Sequence, residues 1–453
     1  MSELKRTAFS TSRAAEYFDA RELSAQTGRP PAGFAAVVLK ELVDNALDAC
    51  ETAKVAPEIG IEVGQDDGLL RLAVADNGPG LPPEVVRKVL DYSVRISDKA
   101  AYRSPTRGAQ GNALKTVVGI PHALGSREPV VVEARGVRHV IHPHIDPAGE
   151  LRIGHDEEPA GGAGGTRVSV ALPNEGQYLD PEWWARAFAL FNPHANVRIS
   201  RSAPGGEHAK SSPRVAANFY KSTAGEDFKK YRPTDPTSPH WYSDTALKRL
   251  VFAHVGDARG GGRDLPLGEF VRQFRGLTST RKAKTVCSAL GEIGHLSGFE
   301  ERPEAIADLL AAMTSESKPP SHAVLGEVGE DHLRTVLEEA YEVRELTYRR
   351  VRGHFPSGLP YTFEFALAVT EEPGDLYTGI NFSPTFDDPL EGVRLFGPKV
   401  EARGIRGLLH EAHAEPGGWD PYAAAHTAAV AHIVTPAPVY MDRGKTRIQL
   451  EEG

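Results

Sequence analysis

The spacing of apolar residues predicts alternating helices and strands over the first 200 residues. Apolar side chains recur at helical intervals between residues 34 and 53, at Val38, Leu42, Ala46 and Ala49. Helices are predicted at 34–53, 82–93 and 112–120, and strands at 59–63, 69–75, 129–142 and 167–172. Glycine clusters separate these elements. The pattern therefore favours a compact domain in which helices pack on a sheet.

The character of the chain changes after about residue 200. Residues 202–243 are rich in Pro, Ser and charge, which is typical of a linker or an extended arm. Residues 244–315 have a mostly helical pattern, whereas the block from 321 mixes helices with strand-like runs at 361–369 and 376–382. The whole chain is therefore predicted to be α+β.

Composition limits the class of protein without naming it. The 453 residues contain 61 acidic and 52 basic side chains, a formal charge of −9, which excludes a uniformly basic nucleic-acid coat. No apolar run approaches the roughly 18–20 residues that cross a bilayer, and the first residues lack the apolar core of a secretory signal. Two cysteines exclude a disulfide framework, so a cytoplasmic location and no membrane association are expected.

Three clusters carry candidate chemistry. Glu41 and Asn45 are four residues apart and share a helix face, where a carboxylate can accept a proton from water and an amide oxygen can hold magnesium. Asp76 opens the run DNGPG directly after a strand, so its carboxylate can accept a hydrogen bond from an exocyclic amine. The run RGAQGN at 107–112 leads into a helix, whose N-terminus presents N–H groups to phosphate.

Each cluster also has an ordinary explanation by itself. A carboxylate–amide pair is typical of a solvated helix face, and Asn77-Gly78 is typical of a turn. A single GxxG run is weak support for a phosphate site. Their order is the stronger observation. KELVDNALDA is followed about 30 residues later by DNGPG, about 30 further by RGAQGNALK, and then by Gly-Gly-Thr before a strand.

This four-part order resembles the Bergerat-type ATP-binding fold of type II topoisomerases, MutL proteins, Hsp90 chaperones and histidine kinases. Among these, the chain is most similar to the B subunit of topoisomerase VI. The segments that carry the further similarity are GGTRVSVALPNEG, FNPHANVRIS, TSPHWYSDTALKRL, LPLGEFVRQFRGLTSTRKAKTVCSALGEIG and PYTFEFALAV. The resemblance implies a Bergerat-fold ATPase domain at 1–200, a helix-two-turn-helix-like region at 201–315 and an α+β transducer-like domain at 316–453.

The resemblance also implies roles for individual residues. Glu41 would be the general base that activates the attacking water, Asn45 the magnesium ligand and Asp76 the partner of the adenine amine. The other implied ATP contacts are Gly78 and Gly80 against the ring, Gly108, Ala109, Gln110, Gly111 and Asn112 around the phosphates, and Thr166 in the adenine pocket.

A cation should also reach the γ-phosphate. In the family this is a lysine on a transducer loop, and the best match here is Lys445 in YMDRGKTRI, with Lys399 in LFGPKV as the competitor. The alternative is that Lys445 is an ordinary surface lysine. Eight residues follow Lys445, whereas the family has a long helix there, so a shortened C-terminus is expected.

One stretch of the acidic chain is locally basic. It holds five cations and no acid between residues 272 and 284: Arg272, Arg275, Arg281, Lys282 and Lys284. Such a stretch can contact a phosphate backbone without sequence specificity, or it can be a solvated helix face. Phe274 has no aromatic neighbour in the run, so stacking on single strands is not indicated.

The resemblance implies an ATP-dependent ATPase that dimerises on binding Mg-ATP and works in a DNA-processing complex. Its expected partners are a second copy of the chain, a topoisomerase VI A-like nuclease subunit and double-stranded DNA. The sequence contains no recognisable nuclease motif of its own. Two alternatives stay open: a MutL-like or chaperone-like ATPase, and a nucleotide-gated scaffold with negligible hydrolysis.

Overall fold

The computed structural model describes residues 13–92, 101–107, 113–147, 151–161, 164–201, 215–225, 228–391, 404–412, 414–415, 418–419, 426–440 and Ile448. The predicted α+β class is confirmed, because helices accompany a mixed eight-stranded sheet and a second, five-stranded sheet. Contacts divide the chain into two compact units. The first comprises residues 1–96, 111–185 and 195–220, and the second comprises 97–110, 186–194 and 221–453. The predicted division into three domains stays a prediction.

The first unit is built on the eight-stranded sheet, with strand order β5-β4-β3-β6-β2-β1-β7-β8. Its strands are β1 Glu58–Asp66, β2 Leu69–Ala75, β3 Val130–Ala134, β4 Val137–Ile145, β5 Leu151–Pro159, β6 Thr166–Pro173, β7 Asn196–Arg201 and β8 Val215–Tyr220. Its helices are α1 Ala20–Thr27, α2 Phe34–Ala53, α3 Pro83–Val89 and α4 Ala113–Ala123, and α5 Pro181–Phe191 is shared between the units. Only β1 and β7 pair in parallel among these strands.

Two local differences from the sequence predictions have clear causes. The run 129–142 is divided into β3 and β4 by Arg135 and Gly136, whose φ angles of 49° and 75° suit the tight turn of a hairpin. Strand β8 lies inside the predicted linker 202–243, because backbone pairing with β7 outweighs the polar composition around it.

Helix α2 is the central helix of the first unit. Thirteen of its twenty residues are buried, since apolar side chains cover more than one face. It ends at Lys54, which adopts the left-handed conformation (φ 59°), and the N–H of Val55 then donates to the carbonyl of Cys50 at 2.9 Å. Gly119 of α4 lies against the N-terminal 3₁₀ helix Arg13–Phe18, because a Cβ there would stand 1.9 Å from the carbonyl oxygen of Tyr17.

The second unit combines a helical region with the five-stranded sheet, whose strand order is β12-β11-β15-β10-β9. Its helices are α6 Asp244–Arg259, α7 Leu267–Arg272, α8 Thr280–Ala289, α9 Ala305–Ser315, α10 Glu330–Ala340 and α11 Gly404–Ala412. Its strands are β9 Val343–His354, β10 Pro360–Thr370, β11 Leu376–Ile380, β12 Ser383–Pro384, β13 Ala414–Glu415, β14 Gly418–Trp419 and β15 Thr427–Val434. Serines cap α6 and α8: Ser243 accepts from the N–H of Ala246, and Ser279 from that of Lys282. None of the helices in the described part of the chain has the length and apolarity to span a membrane.

A buried carboxylate lies on β10 of the second sheet. Glu364 of β10 is 1% exposed, and its Oε2 accepts hydrogen bonds from His432 and from the N–H of Val328 at 3.1 and 2.8 Å. Its Oε1 accepts from the N–H of Gly329 and the hydroxyl of Tyr348 at 2.8 and 2.9 Å. Burial alone would raise the pKa of Glu364, but these bonds, that from His432 foremost, hold it below its ordinary value.

The chain of buried polar contacts continues outward from this carboxylate. His432 uses its other nitrogen, Nε2, to accept from the N–H of Phe382 at 3.1 Å, which assigns its proton to Nδ1. The carbonyl of Phe382 accepts from Asn192 at 3.0 Å, and Asn192 in turn accepts from Arg107 at 2.5 Å. Asn192 and Arg107 are 0% and 2% exposed, so the chain is shielded from water along its length.

We expect Glu364→Gln to lower the free energy of unfolding by about 3 kcal/mol at pH 7, because an amide would turn its N–H groups toward donors. The folded pKa of Glu364 is depressed, so its stabilisation is present above the unfolded pKa and is lost as pH falls through the folded pKa. The difference from wild type should therefore shrink in acid. Denaturant unfolding at pH 7 and at acid pH measures both effects.

The control is Glu338→Gln on α10, where the side chain is half exposed and pairs with Arg334. It should change stability by less than about 0.5 kcal/mol. Equal effects of the two substitutions would contradict the structural role of Glu364.

Candidate functional site

One face of α2 carries the polar residues singled out in the sequence. Glu41, Asn45 and Ala49 follow one another at intervals of four and therefore share a face. Ala49 packs on the loop after β2, since its Cβ lies 3.4 Å from where a Cβ on Gly78 would stand. Asn45 is exposed and Glu41 is half-buried one turn further along. The packing of Ala49 thus directs this face toward the DNGPG loop.

The neighbouring charges of α2 have a structural role. Lys40 and Asp44 form an i,i+4 ion pair at 2.6 Å, and both side chains are largely buried. Lys40 and Asp44 each precede a residue of the Glu41–Asn45 face by one position, and their mutual pairing stabilises the helix beside it.

Asp76 stands at the end of β2, beside the start of β6. Its backbone N–H donates to the carbonyl of Thr166 at 2.9 Å, while its Oδ1 accepts from the N–H groups of Gly78 and Thr166 at 2.8 and 3.2 Å. Among the described residues, Oδ2 accepts no hydrogen bond. The carboxylate is therefore held in place through one oxygen, and the other is left as an acceptor.

The glycines around Asp76 provide room for close backbone contacts. Gly165 has φ 76°, and a Cβ there would stand 1.9 Å from the carbonyl oxygen of Asp76. Gly80 has φ 74°, and its Cβ would lie 2.9 Å from the carbonyl oxygen of Gly165. Both positions combine a left-handed backbone with a space that excludes any side chain, so glycine is required at each. The hydroxyl of Thr166 accepts from the N–H of Leu81 at 3.1 Å and holds the far end of the loop.

Asn77 links this loop to α2. Its amide oxygen accepts from the N–H of Glu58 at 2.9 Å and from the thiol of Cys50 at 3.2 Å, and its amide nitrogen donates to the carbonyl of Ala56 at 2.9 Å. Burial, with a contribution from the charge of Asp76, raises the pKa of Cys50 to about 12. Burial likewise raises the pKa of Asp76, although bonds from Gly78 and Thr166 offset part of the shift.

The segment before the second glycine cluster is anchored within the second unit. The hydroxyl of Tyr102 lies 3.0 Å from His254 and donates to Gln273 at 2.9 Å. The guanidinium of Arg103 donates to the carbonyl of Trp241 at 2.6 Å, and Arg107 is held by Asn192 as described above. Arg107 is the last described residue before the predicted phosphate run.

Several predicted site residues lie outside the described residues. They are the run Gly108, Ala109, Gln110, Gly111 and Asn112 and the two candidate switch lysines, Lys399 and Lys445. The predicted residues that the structure brings together at one end of β2 and β6 are Asp76, Gly78, Gly80 and Thr166. The predicted contacts of Glu41 and Asn45 with a nucleotide stay predictions.

The basic stretch divides into exposed and anchored side chains. Arg272, Arg281 and Lys284 are exposed on α7 and α8. Lys282 donates to the carbonyl of Gly276 at 3.0 Å, and Arg275 is half-buried. Phe274 is 0% exposed and packs with other aromatic rings, so it belongs to the core of this region.

Sequence reasoning missed two contacts that shape the site. The partnership of Arg107 with Asn192 joins residues 85 positions apart, and that of Cys50 with Asn77 joins residues 27 apart. The sequence shows Asn192 as a polar residue directly after an apolar helix. It does not show that Asn192 contacts Arg107, because that contact depends on tertiary packing.

Comparisons with known proteins agree with this geometry. Residues 33–176 match the family described as histidine kinase-, DNA gyrase B-, and HSP90-like ATPase. That range includes α2, the DNGPG loop and the Gly-Gly-Thr turn. Over this range, the first unit is therefore similar to ATPase domains of this type.

Curated relatives bear a more specific name. The B subunit of type 2 DNA topoisomerase 6 from Halobacterium salinarum is 29% identical over 217 residues, which cover 45% of this chain and 25% of that protein. The protein of the same name from Archaeoglobus fulgidus is 30% identical over 181 residues, covering 37% and 29%, respectively. That of Thermococcus kodakarensis is 25% identical over 173 residues, covering 36% and 30%. The chain thus matches between a quarter and a third of the length of these three relatives.

We expect Gly165→Ala to weaken nucleotide binding at least tenfold, because the added methyl group would displace the carbonyl of Asp76. Gly164→Ala is the matched control. Gly164 also has a positive φ, 84°, but nothing lies within 4 Å of its Cβ position. It should lose about 1–2 kcal/mol of stability from backbone strain and keep most of its nucleotide affinity. Titration calorimetry with ATP and thermal unfolding of both variants separate steric displacement from strain.

Proposed function

We propose that this topoisomerase VI B-like chain, with its ATPase domain of the histidine kinase, DNA gyrase B and HSP90 type, binds and hydrolyses Mg-ATP. Binding of ATP would stabilise the closed state of a dimeric DNA-processing complex, and hydrolysis would remove that stabilisation. The single observation that carries the proposal is Asp76, a carboxylate fixed through one oxygen with the other available, at the end of a strand and among glycines that no side chain can replace.

Asp76 is proposed to recognise adenine through a hydrogen bond to its exocyclic amine. An ionised carboxylate is an acceptor only, so Oδ2 is suited to the exocyclic amine of adenine and not to the carbonyl of guanine. Gly78 and Gly80 would let the planar ring approach the backbone, and the Thr166 hydroxyl, bonded to Leu81, would keep that wall of the pocket in place.

Glu41 and Asn45 are the proposed catalytic face of α2. Glu41 would take the proton from the attacking water. It is a carboxylate on the face that Ala49 packs against Gly78, two turns from that contact. The exposed amide oxygen of Asn45 fits a hard cation such as magnesium. When bound, magnesium would neutralise charge on the triphosphate.

The phosphate run would be held by Gly108, Ala109, Gln110, Gly111 and Asn112, which follow Arg107 directly in the chain. Arg107 belongs to the buried polar chain of the second unit, so its position depends on Asn192 and, further on, His432. We infer that this anchor fixes where the phosphate run begins, and that it couples occupancy of the run to the second sheet.

Dimer closure is proposed to require a cation at the γ-phosphate, with Lys445 as the first candidate and Lys399 as the second. Such a contact exists with ATP and not with ADP, so the two nucleotides would favour the closed state to different extents. Helices in the N-terminal segment, Arg13–Phe18 and Ala20–Thr27, would form part of the dimer contact.

Double-stranded DNA and a nuclease subunit are the proposed partners. The relatives are named as one subunit of a DNA topoisomerase. Exposed Arg272, Arg281 and Lys284 offer positive charge to a phosphate backbone. Cleavage of DNA would then be the work of the A-like partner.

The decisive experiment measures binding and turnover separately. We expect Glu41→Gln to bind Mg-ATP nearly as wild type and to lose hydrolysis about 100-fold or more, since only the proton acceptor is removed. Asn45→Ala should instead weaken binding of Mg-ATP at least tenfold. Phosphate release and titration calorimetry give the two quantities.

The control for this pair is Glu84→Gln, an exposed carboxylate at the start of α3, which should retain both activities. A wild type that binds ATP without measurable turnover would favour the scaffold alternative. Normal hydrolysis by Glu41→Gln would refute its assignment as the base.

Adenine recognition should depend on pH. Because burial raises the pKa of Asp76, its carboxylate is protonated at a higher pH than an exposed aspartate, and ATP affinity should fall as pH decreases from 7 toward that pKa. Asp76→Asn should bind ATP at least tenfold more weakly at pH 7 and should lose this pH dependence. Dissociation constants for ATP and GTP at several pH values test both points, and equal affinity of wild type for the two nucleotides would contradict the role.

A further inference from the structure

Two histidines and a glutamate meet at the edge of the eight-stranded sheet, away from the residues proposed to bind ATP. His139 lies on β4, and His155 and Glu157 lie on the edge strand β5. His139 is directly opposite Glu157 in the antiparallel register, and His155 precedes Glu157 by two. Alternation along a strand therefore places all three side chains on one face of the sheet.

Three donor atoms converge in this cluster. Nδ1 of His139 lies 2.9 Å from Nε2 of His155 and 3.5 Å from Oε1 of Glu157. Nε2 of His155 is 3.9 Å from the same carboxylate oxygen. Donors about 2.0–2.1 Å from a tetrahedral ion stand about 3.3 Å apart, so the three separations need only small adjustments to surround one ion.

The chemistry of the donors selects the ion. Two imidazoles and one carboxylate form a donor set typical of zinc, with a fourth position left to water. Imidazole nitrogens favour zinc and other first-row transition ions, whereas magnesium and calcium prefer sites made of oxygen alone. The side chain of His139 is fully buried, that of His155 is 17% exposed and that of Glu157 is 31% exposed, so an ion can approach from the carboxylate side.

Arg87 of α3 holds the carboxylate of Glu157 through two hydrogen bonds. Its Nε donates to Oε1 of Glu157 at 2.7 Å, and a terminal nitrogen donates to Oε2 at 2.6 Å. This bidentate contact fixes the orientation of the carboxylate toward the two imidazoles. A ligating carboxylate is usually held in this way by an outer partner.

We propose that His139, His155 and Glu157 bind one divalent transition-metal ion, zinc by preference, and that this ion links the edge strand β5 to β4. Both facing nitrogens, which are 2.9 Å apart, must be unprotonated to bind the ion, so any proton between them moves to another ring nitrogen or to solvent. The site is separate from the proposed ATPase chemistry and does not depend on it.

The test is a metal titration of the chelator-treated full chain without nucleotide. Cobalt(II) should bind in a one-to-one ratio with the visible absorption of a tetrahedral complex, zinc should displace it, and zinc should raise the melting temperature. His155→Ala and Glu157→Gln should each lower the affinity at least tenfold, and Arg87→Ala should lower it about 10–100-fold through loss of positioning.

Two controls make the result decisive. His142→Ala removes an exposed histidine three positions from His139 on β4, on the opposite face, and should leave the titration unchanged. Glu158→Gln removes the neighbouring carboxylate, which pairs with Arg138 instead, and should also leave it unchanged. His139→Ala is a poor test because it leaves a cavity at a buried position and can unfold the chain. His155 is partly exposed, so we expect His155→Ala to fold, and circular dichroism checks this. Absence of saturable cobalt binding, or binding that persists unchanged in His155→Ala and Glu157→Gln, would overturn the proposal.

Discussion

The antiparallel register between β2 and β6 sets the relative positions of Asp76 and Thr166, two of the residues proposed to bind ATP. Ala75 is opposite Arg167, so Asp76 emerges from one strand beside Thr166 at the beginning of the other. The two chain segments then pass so closely that Gly165 must lack a side chain. Asn77 ties the same loop to α2 through Cys50, and this contact orients the face that carries Glu41 and Asn45. A shift of the register by one residue would separate Asp76 from Thr166 and would move the whole site.

The second unit contains a different feature, a chain of hydrogen-bonded buried polar groups that runs from Glu364 to Arg107. Removal of a carboxylate and a guanidinium from water is costly, and four hydrogen bonds at Glu364 and the Asn192 contact at Arg107 offset this cost. Such a chain tolerates few alternative arrangements, because each member has a partner in only one geometry. It therefore fixes the position of Arg107, where this described segment of the chain ends.

Features that depend on local pattern could be predicted from the sequence. The periodicity of α2 was sufficient, since its apolar residues cover most of the helix, and β2 with the DNGPG break was visible as an apolar run ended by turn residues. Strand β9 was not recognised, because its four arginines and one glutamate interrupt the apolar residues of an exposed edge strand and resemble a solvated segment. The contacts of Arg107 with Asn192 and of Glu364 with His432 span 85 and 68 positions. The cluster of His139, His155 and Glu157 likewise requires the pairing of β4 with β5, which single-residue spacing does not encode.

The buried thiol of Cys50 has a practical consequence for chemical modification. Thiolates react with alkylating reagents, but burial raises the pKa of Cys50 to about 12 and its sulfur donates to Asn77, so the closed loop protects it on both counts. Alkylation at neutral pH must then await separation of the DNGPG loop from α2. The alkylation rate of Cys50 would thus measure how often the DNGPG loop separates from α2.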